Sequence, residues 1–270
     1  MKDIFSKSLG VHSRLNLDNK WTEHVLTEIQ ENSWRVLLKP VAIDNQSFVS
    51  EVGGRSTCNF EFVCGELSWN YFNGDYLATI KNHLDLLPRL IRDLSDSSKS
   101  LTRSSSHSKT WKAGAEEALN ILENLTMPEL TSEIRNLLLD SLAQVIKKEI
   151  PCEILVHGDF HPGNVMISGD KPNVSATVID LENITFGTVF VDFLYCSTWA
   201  RLVNEPIPYW DLMSYLEFKS DRKITRIDIG LAASLMLNQA HNNARMTSQR
   251  IILGLFWMVT ELLTQNRIEA

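Results

Sequence analysis

The alternation of apolar and polar positions divides the chain into stretches of different period. From Asn19 to Glu31 the segment NKWTEHVLTEIQE sets Trp21, Val25, Leu26 and Ile29 near one helical face, with Asp18 or Asn19 available as N-cap, and predicts a helix. RVLLKPVAID and QSFVSEV follow as short β-branched runs, separated by Asp44-Asn45-Gln46 and ended by Gly53-Gly54, which predicts two strands of one antiparallel sheet. Residues 55–94 mix their signals, but the pattern is mostly helical after Tyr76, with Pro88 interrupting or starting a helix. The Ser-rich tract from Ser95 to Lys109 has only Leu101 as an apolar residue and predicts a mobile, dispensable surface loop.

Helical periodicity resumes over Trp111 to Leu125 and Pro128 to Lys148. The second stretch opens with Thr131 or Ser132 as cap and Glu133 in its first turn. After Pro151 the period becomes that of a strand. Beyond Asp192 almost everything reads as helix, with breaks at Glu205 to Pro208 and Lys219 to Lys223. The pattern therefore predicts a small α/β front end followed by a larger, mainly helical body.

Composition narrows the function classes. The 270 residues hold 26 Lys+Arg and 33 Asp+Glu, a formal charge of −7, and 44% hydrophobic residues. An acidic balance argues against nucleic acid or an anionic membrane as partner, since both demand clustered cations. The start MKDIFSKSLG lacks the apolar run of a secretory signal, which leads us to expect a cytoplasmic protein. Ile251 to Val259 is about half the roughly 20 residues a membrane span requires and predicts a buried helix. Cys58, Cys64, Cys152 and Cys196 have no ligand-like spacing and are expected to be reduced, partly buried thiols.

The chemistry concentrates in VHGDFHPGNVMI, residues 156–167, and VID, residues 178–180. A strand delivers His157-Gly158-Asp159 into a loop whose Pro162 and Gly163 forbid regular structure. Val165 to Ile167 and Ala176 to Ile179 then form a hairpin about the turn Ser168 to Asn173. That places Asp159 and Asn164 at the hairpin entrance and Asp180 at its exit. Phosphoryl transfer asks for such a set: one carboxylate to orient the attacking hydroxyl, and hard oxygens to hold Mg²⁺ across the phosphates. The Asp159 to Asn164 spacing equals that of the protein-kinase catalytic loop.

HGDFHPGN followed by VIDLE resembles the core of the aminoglycoside phosphotransferase and choline kinase family. His157, Gly158, Asp159, His161, Asn164 and Asp180 match its motif. Gly187 and Asp192 match a further Gly and Asp, with Thr188-Val189 in place of the usual acidic residue or Pro. The resemblance implies a protein-kinase-like, two-lobe α+β fold, with a reduced nucleotide-binding lobe over residues 1–54 and a catalytic and acceptor-binding lobe over residues 55–270. It implies Asp159 as base, Asn164 and Asp180 as Mg²⁺ ligands, and ATP as donor to the hydroxyl of a small molecule. His157, His161 and Asp192 would support the site.

LLKPVAIDNQSFVSEVGG is similar to the strand pair and hinge of these kinases, putting adenine at Glu51, Val52 and Gly53. The helix near Glu23 would carry the acidic partner of the nucleotide-binding lysine, for which Lys2 stands in the expected place. Glu182 is either a second ligand or a surface charge. His157 and His161 as a zinc pair lack a third ligand. Trp199, Glu205, Trp210 and Asp211 are candidates for the acceptor pocket, while the Trp residues of the body, Trp257 included, read more readily as core. The alternative to an enzyme is a non-catalytic pseudokinase or binding protein with a degenerate nucleotide lobe.

Overall fold

A computed structural model of the protein describes residues 4–8, 23–28, 49–52, 55–99, 101, 105–169, 174–200, 213–214, 216–217, 220–242 and 245–269. The chain forms two compact units, residues 1–103 with 154–186, and residues 104–153 with 187–270. The division expected after residue 54 instead falls inside a β-hairpin, because the strands on either side of it pair.

In the first unit, β1 (Ile4–Ser8), β2 (Val49–Val52) and β3 (Arg55–Glu61) make an antiparallel sheet in the order β1-β3-β2. Residues 23–28 are helical (α1), and Val25 and Leu26 are fully buried, as the periodicity predicts. The first predicted strand, RVLLKPVAID, lies outside the described residues.

After β3 the chain passes through residues 62–65 to β4 (Glu66–Leu67) and a single helical turn, α2 (Ser68–Tyr71). α3 then runs from Tyr76 to Ser98, with the Asp75 carboxylate accepting from the Ala78 N–H at 3.0 Å as its cap. α3 passes through Pro88 without ending there. Its buried stripe, Ile80, Leu84, Leu87, Leu90 and Leu94, outweighs the one backbone hydrogen bond that proline removes.

β5 (Ile154–Val156) is wholly buried and packs on α3. Next come a 3-10 turn over Pro162–Asn164, β6 (Val165–Ser168) and β7 (Ser175–Val178), the hairpin expected from the sequence. Its register pairs Val165 with Val178 and Ser168 with Ser175. β4 pairs with β6, and β5 with β8 (Thr185–Gly187).

The second unit is a helical assembly of α4 (Ser105–Asn124), α5 (Ser132–Lys147), α6 (Val191–Ala200), α7 (Arg226–Asn242) and α8 (Arg245–Thr264). Thr131 caps α5 through Oγ1, which accepts from Ile134 N–H at 3.3 Å. α7 packs against α4, α5 and α8. At Gly230 an added Cβ would lie 2.7 Å from the Ser141 carbonyl carbon, so α7 and α5 touch at backbone distance. β9 (Ile224–Thr225) and β10 (Ile268–Glu269) form a short parallel pair.

The Ser-rich tract is not the loop its composition suggests. Ser95 to Ser98 are the last turn of α3, and α4 begins at Ser105. Ser97, Leu101 and His107 are buried. One inward position per turn is enough to dock a helix end, even when the other faces are serine and lysine. The Ile251 to Val259 stretch lies in α8 and is buried except for half-buried Leu253 and for Trp257, which is 43% exposed and so does not serve as core. Among the described residues no helix is long and apolar enough to cross a membrane, and all four cysteines are free.

Candidate active site

The loop between β5 and β6 is held by a chain of hydrogen bonds that begins in its own histidines. His157 Nε2 donates to Ile179 C=O at 3.0 Å, and its Nδ1 accepts from Asp159 N–H at 3.3 Å, which assigns the proton to Nε2. One buried imidazole thus ties the residue before Asp180 to the backbone of Asp159. Gly158 is required between them: its φ is +78°, and a Cβ there would stand 2.7 Å from Asn183 O.

His161 caps the 3-10 turn, its Nδ1 accepting from Gly163 N–H at 3.0 Å, with Nε2 3.7 Å from Asp159 Oδ1. Burial lowers its pKa, while the charges of Asp159 and Asp180 act in the opposite direction. Nδ1 of each histidine accepts from the loop's own backbone.

Asn164 completes the loop. Its Nδ2 donates to Asp159 O at 2.9 Å and to Asp159 Oδ2 at 3.1 Å, and its backbone C=O accepts from Ile179 N–H at 2.9 Å. The Asp159 side chain is 20% exposed, which leaves it open to a reactant. Asp180 takes a left-handed backbone, φ 64° and ψ 63°, immediately before the 3-10 turn Leu181–Asn183 that contains Glu182. Asn164 Oδ1 and the Asp180 carboxylate are hard oxygens, the donor type Mg²⁺ takes. Among the described residues no cluster of three or more His, Cys, Asp or Glu could hold a metal unaided.

A residue the sequence pattern does not mark braces the loop from α3. His83 is fully buried, and its Nε2 donates to Phe160 C=O at 3.1 Å. Burial pushes its pKa down to about 3, so the ring is neutral.

The expected hinge is corrected by the strand pairing. Glu51 and Val52 stand in β2, with Val52 opposite Arg55, so the chain turns straight back into β3 and does not leave the sheet there. It leaves after Glu61, through residues 62–65. Gly53 and Lys2 lie outside the described residues. Lys7, in β1, sits opposite Cys58 of β3. Burial, and then the charge of Glu23, push the Cys58 thiol up to about 12.

In the second unit, Asp192 is buried in the first turn of α6, inside the helix rather than before it. Thr188, standing where an acidic residue or Pro was expected, donates its hydroxyl to buried Asp228. Asp228 in turn accepts from Arg222 at 2.7 Å and from Thr225 N–H at 2.8 Å. Glu205, Trp210 and Asp211 lie outside the described residues, and Trp199 falls in α6.

Fold and loop together define a kinase-like phosphotransferase architecture. The chain belongs to the phosphotransferase enzyme family (APH), which matches residues 39–212. No curated protein matches the chain by sequence. Among solved structures, it is similar to spectinomycin phosphotransferase APH(9)-Ia in complex with ADP and spectinomycin, at 14% identity over 96% of this chain and 85% of that one, with a TM-score of 0.51. A thermostable mutant of aminoglycoside phosphotransferase APH(4)-Ia gives 10% identity, coverage of 98% and 88%, and a TM-score of 0.55. An aminoglycoside phosphotransferase from Alicyclobacillus acidocaldarius gives 13%, 98% and 87%, and 0.51. At these identities the likeness is one of fold.

Proposed function

We propose that the protein transfers the γ-phosphate of ATP, in a Mg²⁺-dependent reaction, to a hydroxyl of a small molecule such as a sugar, an amino alcohol or an aminoglycoside-like compound. The observation that carries this reading is the double hydrogen bond from Asn164 to Asp159 at the mouth of a hairpin whose exit holds Asp180.

In the reaction, Asp159 accepts the proton of the acceptor hydroxyl as its oxygen forms the new P–O bond. The bond between the γ-phosphorus and the bridging oxygen breaks, and ADP leaves with that electron pair. The Asn164 amide keeps the carboxylate turned toward the acceptor. Asn164 Oδ1 and Asp180 would hold Mg²⁺, which when bound supplies neutralisation of phosphate charge; two protein ligands suit an ion that takes the rest from phosphates and water.

Beside the expected Lys2, which lies outside the described residues, Lys7 in β1 is a second candidate for the nucleotide lysine. Residues directly opposite in an antiparallel ladder share a face. Lys7 is opposite Cys58 in the ladder of β1 and β3, and a lysine carried on a strand is what the nucleotide lobe of protein kinases uses. The adenine edge would then meet the backbone of residues 62–65. Four free thiols suit the reducing cytoplasm as the site of action.

The test is ADP release across a panel of aminoglycosides, choline, homoserine and hexoses. At least one acceptor should raise release about tenfold or more. Asp159→Asn should then lower turnover by about 10² to 10⁴ with nucleotide affinity kept. Turnover within about threefold of the parent would overturn the assignment of the base. Tight nucleotide binding with no acceptor response would favour the non-catalytic reading.

A further inference from the structure

Asn82, Asp85, Arg89 and Arg92 follow at three- and four-residue steps along α3, so they share one face of the helix. With residues 174–176 at the start of β7 they line a cavity of about 550 Å³. None of Asp159, Asn164 or Asp180 lines it. It adjoins the end of the hairpin where Ser168 pairs with Ser175, three ladder steps or roughly 10 Å from the Val165–Val178 rung that opens on the catalytic loop.

Three donors at this cavity have no acceptor. Arg89 and Arg92 are exposed and take part in no ion pair or hydrogen bond among the described residues. Asn82 Nδ2 is buried without a partner, a costly state for an amide unless something else accepts from it. Two unpaired guanidinium groups on the wall of one concavity, three residues apart on one helix face, form a donor set suited to an oxyanion, with the orphaned Asn82 amide buried beneath that wall. Asp85, also exposed and one turn before Arg89, adds an acceptor at the rim. Buried Asp93 is engaged in an interaction of its own.

We propose that this cavity binds a small molecule through an oxyanion, a phosphate or carboxylate group held by Arg89 and Arg92, at a site distinct from the catalytic loop. Asp85 would accept from a hydroxyl or amino group that the same ligand carries next to its anion.

The test is titration calorimetry of the full chain with inorganic phosphate, glycerol 3-phosphate and succinate, each in the presence of saturating Mg-ADP to occupy the catalytic site. Binding of at least one probe at about millimolar Kd is expected, with the probe that binds best distinguishing phosphate from carboxylate. Arg89→Gln and Arg92→Gln, both at exposed positions, should each weaken it about tenfold while leaving the melting temperature and Mg-ADP affinity unchanged. No binding of any probe up to about 20 mM, or binding that the double variant leaves intact, would overturn the proposal.

Discussion

His83 lies flat against Phe160, ring centroids 3.8 Å apart and planes 22° from parallel, while its Nε2 donates to the carbonyl of that same residue. The residue that follows Asp159 is therefore clamped on its ring and on its backbone at once. A helix remote in sequence fixes where the carboxylate can point. His83 Nδ1 has no partner and is buried, so the ring gains nothing by turning over.

That burial makes stability depend on pH. The folded pKa of His83 is depressed to about 3, and that of His161 is also lowered, so between roughly pH 6.5 and 4 the unfolded chain binds more protons than the folded one. The contribution is fully present above the unfolded pKa and is lost as pH falls below it. Chemical denaturation from pH 7 to pH 5 should show stability declining by up to about 1.4 kcal/mol per pH unit for each histidine. His83→Gln should flatten that slope, and an unchanged slope would remove His83 from the account.

Asp180→Ala should weaken binding of Mg-ATP far more than binding of the metal-free nucleoside, because the carboxylate serves the ion and the phosphates rather than the base. Calorimetry with both ligands checks this. Equal losses would indicate a folding defect.

Lys7→Ala should reduce Mg-ATP affinity by about tenfold or more, the worth of a charge-assisted hydrogen bond, and Glu23→Ala should reduce it by less. Adenosine, which has no phosphates, should bind both variants as it binds the parent. If Lys7→Ala left Mg-ATP affinity intact, the phosphate contacts would have to come from another residue.

Gly158→Ala should destabilise the protein by about 1 to 3 kcal/mol, since the left-handed backbone and the approach of Asn183 both oppose a side chain. A thermal melt reads this directly. An unchanged melting temperature would mean that the loop can relax around the methyl.

The catalytic hairpin was legible in the sequence because its signals are local: Pro162 and Gly163 break the pattern, and the flanking apolar runs are too short for helices. The hinge was not. Gly53-Gly54 reads equally well as a chain exit or a tight turn, and only the pairing of Val52 with Arg55 decides between them. Nor was β1, because a strand that short is defined by its partner, β3, some 50 residues on. The Ser-rich tract misled because composition averages over a helix circumference, while docking uses single positions such as Ser97 and His107. His83 looked like any polar residue on an amphipathic helix. Its meaning lies in Phe160, 77 residues away.

The two rungs that join β4 to β6, Glu66 with Ile167 and Leu67 with Met166, have a mechanical consequence. Gly65, just before them, lies so close to the Ile167 backbone that any side chain would collide with it. The strand leaving the N-terminal sheet is in effect riveted to the catalytic hairpin a few residues after it exits. A pull on β3 is therefore transmitted to β6 through only the four residues 62–65, which leave little slack for a swivel. Motion that opens the front of this unit must bend the sheet itself, and inserting even one residue between Glu61 and Glu66 would loosen the rivet without touching a single catalytic group.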